Sequence, residues 1–159
     1  MLNSLCGSVL IASMLTALPL WGEPQAQREY HFDAYQRIYL HGNAQVHLHQ
    51  AGAADDGQAN ASGAADSLAR LRFEAADGVL YIDAGDAQPV DDLVINVTVA
   101  ELKEIVSDGE GEIYAEGLTQ QSLALEGRGA SKFEIKQLQV DDLIVVGQGQ
   151  TDFEVSGTV

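Results

Sequence analysis

The sequence predicts an all-β domain: a short right-handed parallel β-helix, or β-solenoid, with coils of about 20 residues and a hairpin-rich N-terminal part. Three observations carry this. After residue 30 apolar and polar residues alternate with a period of two, and the helical period of 3.6 is hard to find. An Asp-Gly pair, Asp77-Gly78, separates two alternating runs. The stretch GRGASKFEI at 127–135 returns as GQGQTDFEV at 147–155.

The chain opens with 22 residues that hold no Lys, Arg, Asp or Glu. Their apolar run, Val9 to Leu18, is too short to cross a bilayer as a helix and suits a secretory signal peptide. The reading is a signal peptide over 1–22 with cleavage between 22 and 26; an uncleaved anchor is the rival. The only cysteine, Cys6, lies inside this segment, without the small residues before it that a lipoprotein needs. The mature part, 27–159, then has neither thiol chemistry nor a disulfide.

Strands follow. Ile38 and Leu40 point inward, as do Val46 and Leu48. Residues 51–66 contain Ala, Gly, Asp and Ser but no large apolar side chain, and read as a flexible surface loop. Leu71, Phe73 and Ala75 alternate with Arg70, Arg72 and Glu74; beyond the turn, Leu80 and Ile82 alternate with Tyr81 and Asp83. Gly78 accepts the positive φ of a tight hairpin, so these two runs are predicted to pair. Leu93, Ile95, Val97 and Val99 give one inward face.

From residue 102 the strands shorten and Gly-x-Gly recurs at 109/111, 127/129 and 147/149. Leu102, Leu123 and Leu143 recur with it, as do Ile113, Phe133 and Phe153. A repeat of strands and glycine turns predicts stacked coils, each leaning on its neighbours. The glycines turn the backbone where a Cβ would clash. Phe133 and Phe153 are expected to stack one coil apart.

Composition narrows the partners. The chain carries 24 acidic and 8 basic residues, a formal charge of −16. Such a surface repels nucleic acid and anionic lipid and tolerates cationic partners. About 130 residues after cleavage make one domain.

The order of elements resembles a family. Ile38-Tyr39-Leu40-His41-Gly42 and Val46-His47-Leu48 would form a strand pair. The hairpin Asp77 to Ile82 follows, then Val97-Thr98-Val99, Leu102-Lys103-Glu104-Ile105 and Gly109-Glu110-Gly111. This is similar to the autotransporter adhesin head domain, the GIN domain of bacterial secreted proteins, over roughly residues 32 to 159. The resemblance implies a right-handed β-helix, an extracytoplasmic location in periplasm, cell surface or medium, and an adhesive or envelope role. It supplies no catalytic residues. Two features depart from the family pattern: the long Ala/Asp/Gly segment, and a chain that stops just after a strand. The second implies a fragment or a bare last coil.

Candidate chemistry is sparse. His47 and His49 share one strand face, and His41 is expected on a neighbouring strand. Imidazoles suit zinc, copper or nickel, yet a site needs three or four converging ligands, so no metal is assigned. Asp55-Asp56, Asp91-Asp92 and Asp141-Asp142 place adjacent carboxylates on opposite faces, unlike a glycosidase pair, and the last two read as strand starts. The glycine turns lack the Asp of calcium-binding solenoids and the Lys and following helix of a phosphate loop. Asn96-Val97-Thr98 fits a glycosylation sequon but lies mid-strand. Among the late coils only Lys132 and Lys136 lie near Arg128 as a basic group. No catalytic, cofactor-binding or metal residue is assigned, and no cofactor. The expectation is a non-enzymatic envelope binding module, adhesin-like, for a glycan or protein. Its mature chain would not insert into the membrane. The alternatives are a periplasmic carbohydrate-active enzyme on the same fold, or a structural protein that self-associates through its C-terminal coil.

Overall fold

A computed structural model describes residues 25–52, 57–86 and 88–159. The expected signal segment, Cys6 and Asp55-Asp56 lie outside the described residues. The strands are β1 (Gln25–His31), β2 (Arg37–Gly42), β3 (Gln45–Gln50) and β4 (Gln58–Ala64). After helix α1 (Ala65–Arg70) come β5 (Arg72–Ala76) and β6 (Val79–Gly85). A 3₁₀ turn at Val90–Asp92 leads into β7 (Leu93–Val99), β8 (Glu104–Gly109) and β9 (Glu112–Glu116). The chain continues with β10 (Thr119–Gly129), β11 (Lys132–Gly149) and β12 (Asp152–Thr158).

These strands form one sheet of 12, in the order β1-β4-β7-β3-β9-β11-β10-β8-β2-β6-β5, with β12 beside β11. The expected right-handed parallel β-helix with regular coils is thereby corrected. The sheet is mixed and curls as a half-barrel around its core. The pairs β1–β4, β4–β7 and β5–β6 are antiparallel. The central pairs, such as β10–β11, β8–β10 and β9–β11, are parallel. The physical reason lies in the flanks. Their connections let neighbouring strands reverse, and sequence periodicity after residue 102 says nothing about the pairing of strands before it. The twenty-residue offset survives as a local register: Leu123 faces Leu143 and Gly129 faces Gly149.

Other expectations divide in the same way. The Asp77-Gly78 hairpin is present, with both residues at positive φ and Ala76 opposite Val79. The anticipated pairing of 38–42 with 46–48 is absent. Instead β2 lies between β6 and β8, while β3 lies between β7 and β9. Gly42, at φ +94°, turns the chain from one wall to the other, and a Cβ there would lie 2.2 Å from the Gly85 carbonyl oxygen. The stretch read as a loop contains β4 and the start of α1. Ala59 and Ala61 are buried between β1 and β7. Small side chains are enough there, because β4 is hydrogen-bonded on both sides and its neighbours supply the bulk. Asp141-Asp142 starts no strand; it sits in the middle of β11.

β11 joins the two walls. Its first part, Lys132–Lys136, pairs with β9, and Gln139–Gly149 pairs with β10. Between them Gln137 takes φ +53°, the left-handed conformation that marks the corner. The inward residues Ile95, Val46, Ile113 and Phe133 come from one wall and Leu80, Ile38, Ile105 and Leu125 from the other, all in one buried cluster. Phe133 stacks on Phe153 with ring centroids 4.9 Å apart. Tyr35 is buried and donates its hydroxyl to the Thr98 carbonyl at 3.0 Å.

Candidate functional site

Because strand residues alternate, each inward residue of a wall has an outward neighbour, and parallel register lines those neighbours up in rows. The outer face of β7, β3, β9, β11 and β12 carries two full rows. One runs Asn96, His47, Tyr114, Glu134, Glu154. The other runs Val94, Gln45, Glu112, Lys132, Asp152. A third places Glu116 beside Lys136 and Thr98 beside His49.

The first row is chemically dense. His47 stacks on Tyr114, ring centroids 5.0 Å apart and planes within 17°. Tyr114 donates its hydroxyl to Glu112 at 2.6 Å, and Lys132 sits 5.7 Å from its ring centre. That hydrogen bond, with burial and the charges of Glu112, Glu134 and Asp91 behind it, pushes the phenol up to about 12. It stays a protonated donor. Burial first, and then His49, holds His47 below the ordinary imidazole value. Lys136 bonds Glu134 at 2.5 Å, which lowers the carboxyl and raises the ammonium. Together His47, His49, Tyr114, Glu116, Glu134 and Lys136, with Leu48 and Ala115, line a groove of about 440 Å³.

The opposite outer face, on β6, β2, β8, β10 and β11, has a row Asp83, His41, Asp108, Arg128, Gln148. Beside it run Tyr81, Tyr39, Val106, Glu126, Val146. Tyr39 donates to Asp108 at 3.1 Å; burial and that bond raise its pKa. Arg128 pairs with Glu126 at 2.8 Å, and the Nδ1 of His41 lies 4.0 Å from Asp108. A wider groove of about 760 Å³ follows the corner, lined by Gln50, Thr119, Gln120, Gln139, Thr158 and their neighbours.

The structure therefore separates the three histidines. His47 and His49 share one wall, and His41 lies on the other. Among the described residues no group of three or more His, Cys, Asp or Glu is placed to hold a metal ion. Asp91 accepts from Gln45 at 2.7 Å. Asp141 lines the corner groove. Lys132 and Lys136 sit beside Glu134 on one face, while Arg128 pairs with Glu126 on the other. Sequence reasoning missed Tyr114, Glu116 and Glu134. The offset of Tyr114 to Glu134, and of Glu116 to Lys136, was visible, but the partnership of His47 with Tyr114 spans 67 residues and depends on the β3–β9 register.

Such a molecule is an all-β domain whose polar chemistry lies in rows on open sheet faces. The chain belongs to the family described as "Putative auto-transporter adhesin, head GIN domain", matched over residues 34–159. The same fold occurs in a crystal structure described as a "putative adhesin" from Bacteroides fragilis. That structure is 21% identical, with a TM-score of 0.77, covering 86% of this chain and 64% of the other. A "putative lipid binding protein" from Parabacteroides distasonis is 18% identical, with a TM-score of 0.66, covering 84% and 61%. A "putative adhesin" from Parabacteroides merdae is 14% identical, with a TM-score of 0.57, covering 80% and 58%. The chain thus spans less than two thirds of each of these structures. No curated protein matches it. Among the described residues no helix is long and apolar enough to cross a membrane.

Proposed function

We propose that this chain is a non-enzymatic binding module of the bacterial cell envelope or surface, adhesin-like in role and exported by residues 1–22. The observation that carries the reading is the arrangement of charge. On both outer faces acids and bases satisfy one another along single strands, as in Lys132–Glu134–Lys136 on β11 and Glu126–Arg128 on β10. A general acid needs a carboxyl raised toward neutral pH, and Glu134 is moved the other way. Flat laddered faces suit extended, individually weak contacts. Membership in a family described by adhesion agrees with this.

The test is protease treatment of intact cells, with the mature N-terminus sequenced in parallel. The expected result is digestion of the chain while a periplasmic control survives, and a new N-terminus between residues 22 and 26. Survival until the outer layer is opened removes the surface role and leaves a periplasmic one. An unprocessed Met1 removes the export reading.

A further inference from the structure

We infer that the groove between β3, β9 and β11 is a glycan-binding subsite that takes a neutral sugar ring; this rests on the binding-module reading above. The lining supplies each interaction a sugar offers. His47 and Tyr114, stacked face to face at 5.0 Å, brace each other and give the groove a fixed apolar wall of ring edges, against which the C–H groups of a pyranose can pack. Held below its ordinary pKa, His47 presents a neutral ring rather than a cation.

Around the rings stand groups that bond hydroxyls. The Glu116 carboxylate makes no hydrogen bond among the described side chains and is free to accept. Lys136, anchored on Glu134, is a donor beside Glu116 in the same row. His49 completes the rim, its Nε2 3.4 Å from Asn96 Oδ1. The volume of about 440 Å³ falls inside the usual range of small-ligand sites, about 300–1,000 Å³. Charge sets the class. Glu134 is taken up by Lys132 and Lys136, Glu116 is left as an acceptor, and the chain as a whole is at −16, so sulfated or carboxylated sugars are repelled and neutral ones are not.

The site is tested by titrating the purified full chain with neutral trisaccharides ending in glucose, galactose, mannose or N-acetylglucosamine, and with a sulfated counterpart. Binding is read by calorimetry and by NMR shifts of the His47 and Tyr114 rings. The expected result is millimolar to micromolar binding of at least one neutral sugar, none of the sulfated one, and shifts centred on both rings. Glu116→Ala, an exposed change that leaves the core alone, is expected to weaken binding on the order of tenfold, as is His47→Ala. Thermal melting checks that each variant is folded. Absence of sugar binding overturns the inference while a surface location in the protease experiment keeps the module reading. Sugar binding that Glu116→Ala and His47→Ala leave unchanged overturns the site. Equal binding of the sulfated sugar, or binding only of phosphatidylglycerol vesicles, overturns the ligand class.

Discussion

At the scale of single residues, His47 shows how the sheet sets chemistry. An isolated imidazole on a strand surface titrates in water near its ordinary value, about 6.5. Here packing against Tyr114 excludes water, and His49 adds repulsion on protonation, so the folded chain holds the proton less readily than the unfolded one. The sign follows from linkage. Stability from neutral His47 is complete above the ordinary imidazole pKa and is lost as pH falls through the lowered folded value. His47→Phe keeps a ring against Tyr114 and removes the proton. Melting temperatures of wild type and His47→Phe measured from about pH 7.5 to about pH 5 are expected to separate in favour of the variant as the pH drops through the imidazole range. The carboxylates are common to both proteins and cancel in the difference. A gap that stays constant with pH shows that His47 is not the group responsible.

At the scale of elements, the corner of β11 accounts both for what was legible and for what was not. The glycine pattern was readable because the local cause is steric. Gly129 and Gly149 are at positive φ, and a Cβ on either would lie under 3.0 Å from the carbonyl oxygen of the glycine one strand below. The stacked Phe133 and Phe153 were readable for a similar reason, since alternation and offset place both inside. Strand direction was readable at the Asp77-Gly78 hairpin but not at β1, β4 and β7. Nothing local in Gln58–Ala64 distinguishes a loop from a central strand, because β4 owes its order to hydrogen bonds with β1 and β7. The groove residues were hidden by the same non-locality. The other corner position, Gln137, breaks the glycine rule: Gly117 occupies the equivalent place on the strand below at φ +73°, and Gln137 holds φ +53° with a side chain. Left-handed backbone strains a residue with a Cβ by about 1–3 kcal/mol. Glycine relieves that strain but adds unfolded-state entropy of about 0.5–1 kcal/mol. Gln137→Gly is therefore expected to be neutral to stabilising, by up to about 2 kcal/mol in urea unfolding. A clear loss of stability would mean the Gln137 side chain holds the corner.

For the whole molecule, the governing quantity is the formal charge of −16 spread over rows of strands only a few ångströms apart. Two opposed effects of salt follow. Ion pairs such as Lys136–Glu134 and Arg128–Glu126 are exposed on their basic side and contribute little, so screening them costs little. Repulsion among 24 acidic groups is long-ranged instead. The screening length is about 30 Å at 0.01 M salt, comparable with a small domain, and about 8 Å at 0.15 M, so physiological salt removes most of the distant terms and spares contact pairs. Unfolding relieves that repulsion, so it weighs against the compact state at low salt. The melting temperature is expected to rise by a few degrees as sodium chloride goes from about 10 mM to about 150 mM, and then to level off. Calcium chloride at matched ionic strength is expected to give the same rise, because the acidic rows lie opposite lysines and arginines rather than converging on a shared cage. A fall with salt would mean that the surface ion pairs outweigh the repulsion. A calcium effect at micromolar concentration would assign the acidic rows to cation binding.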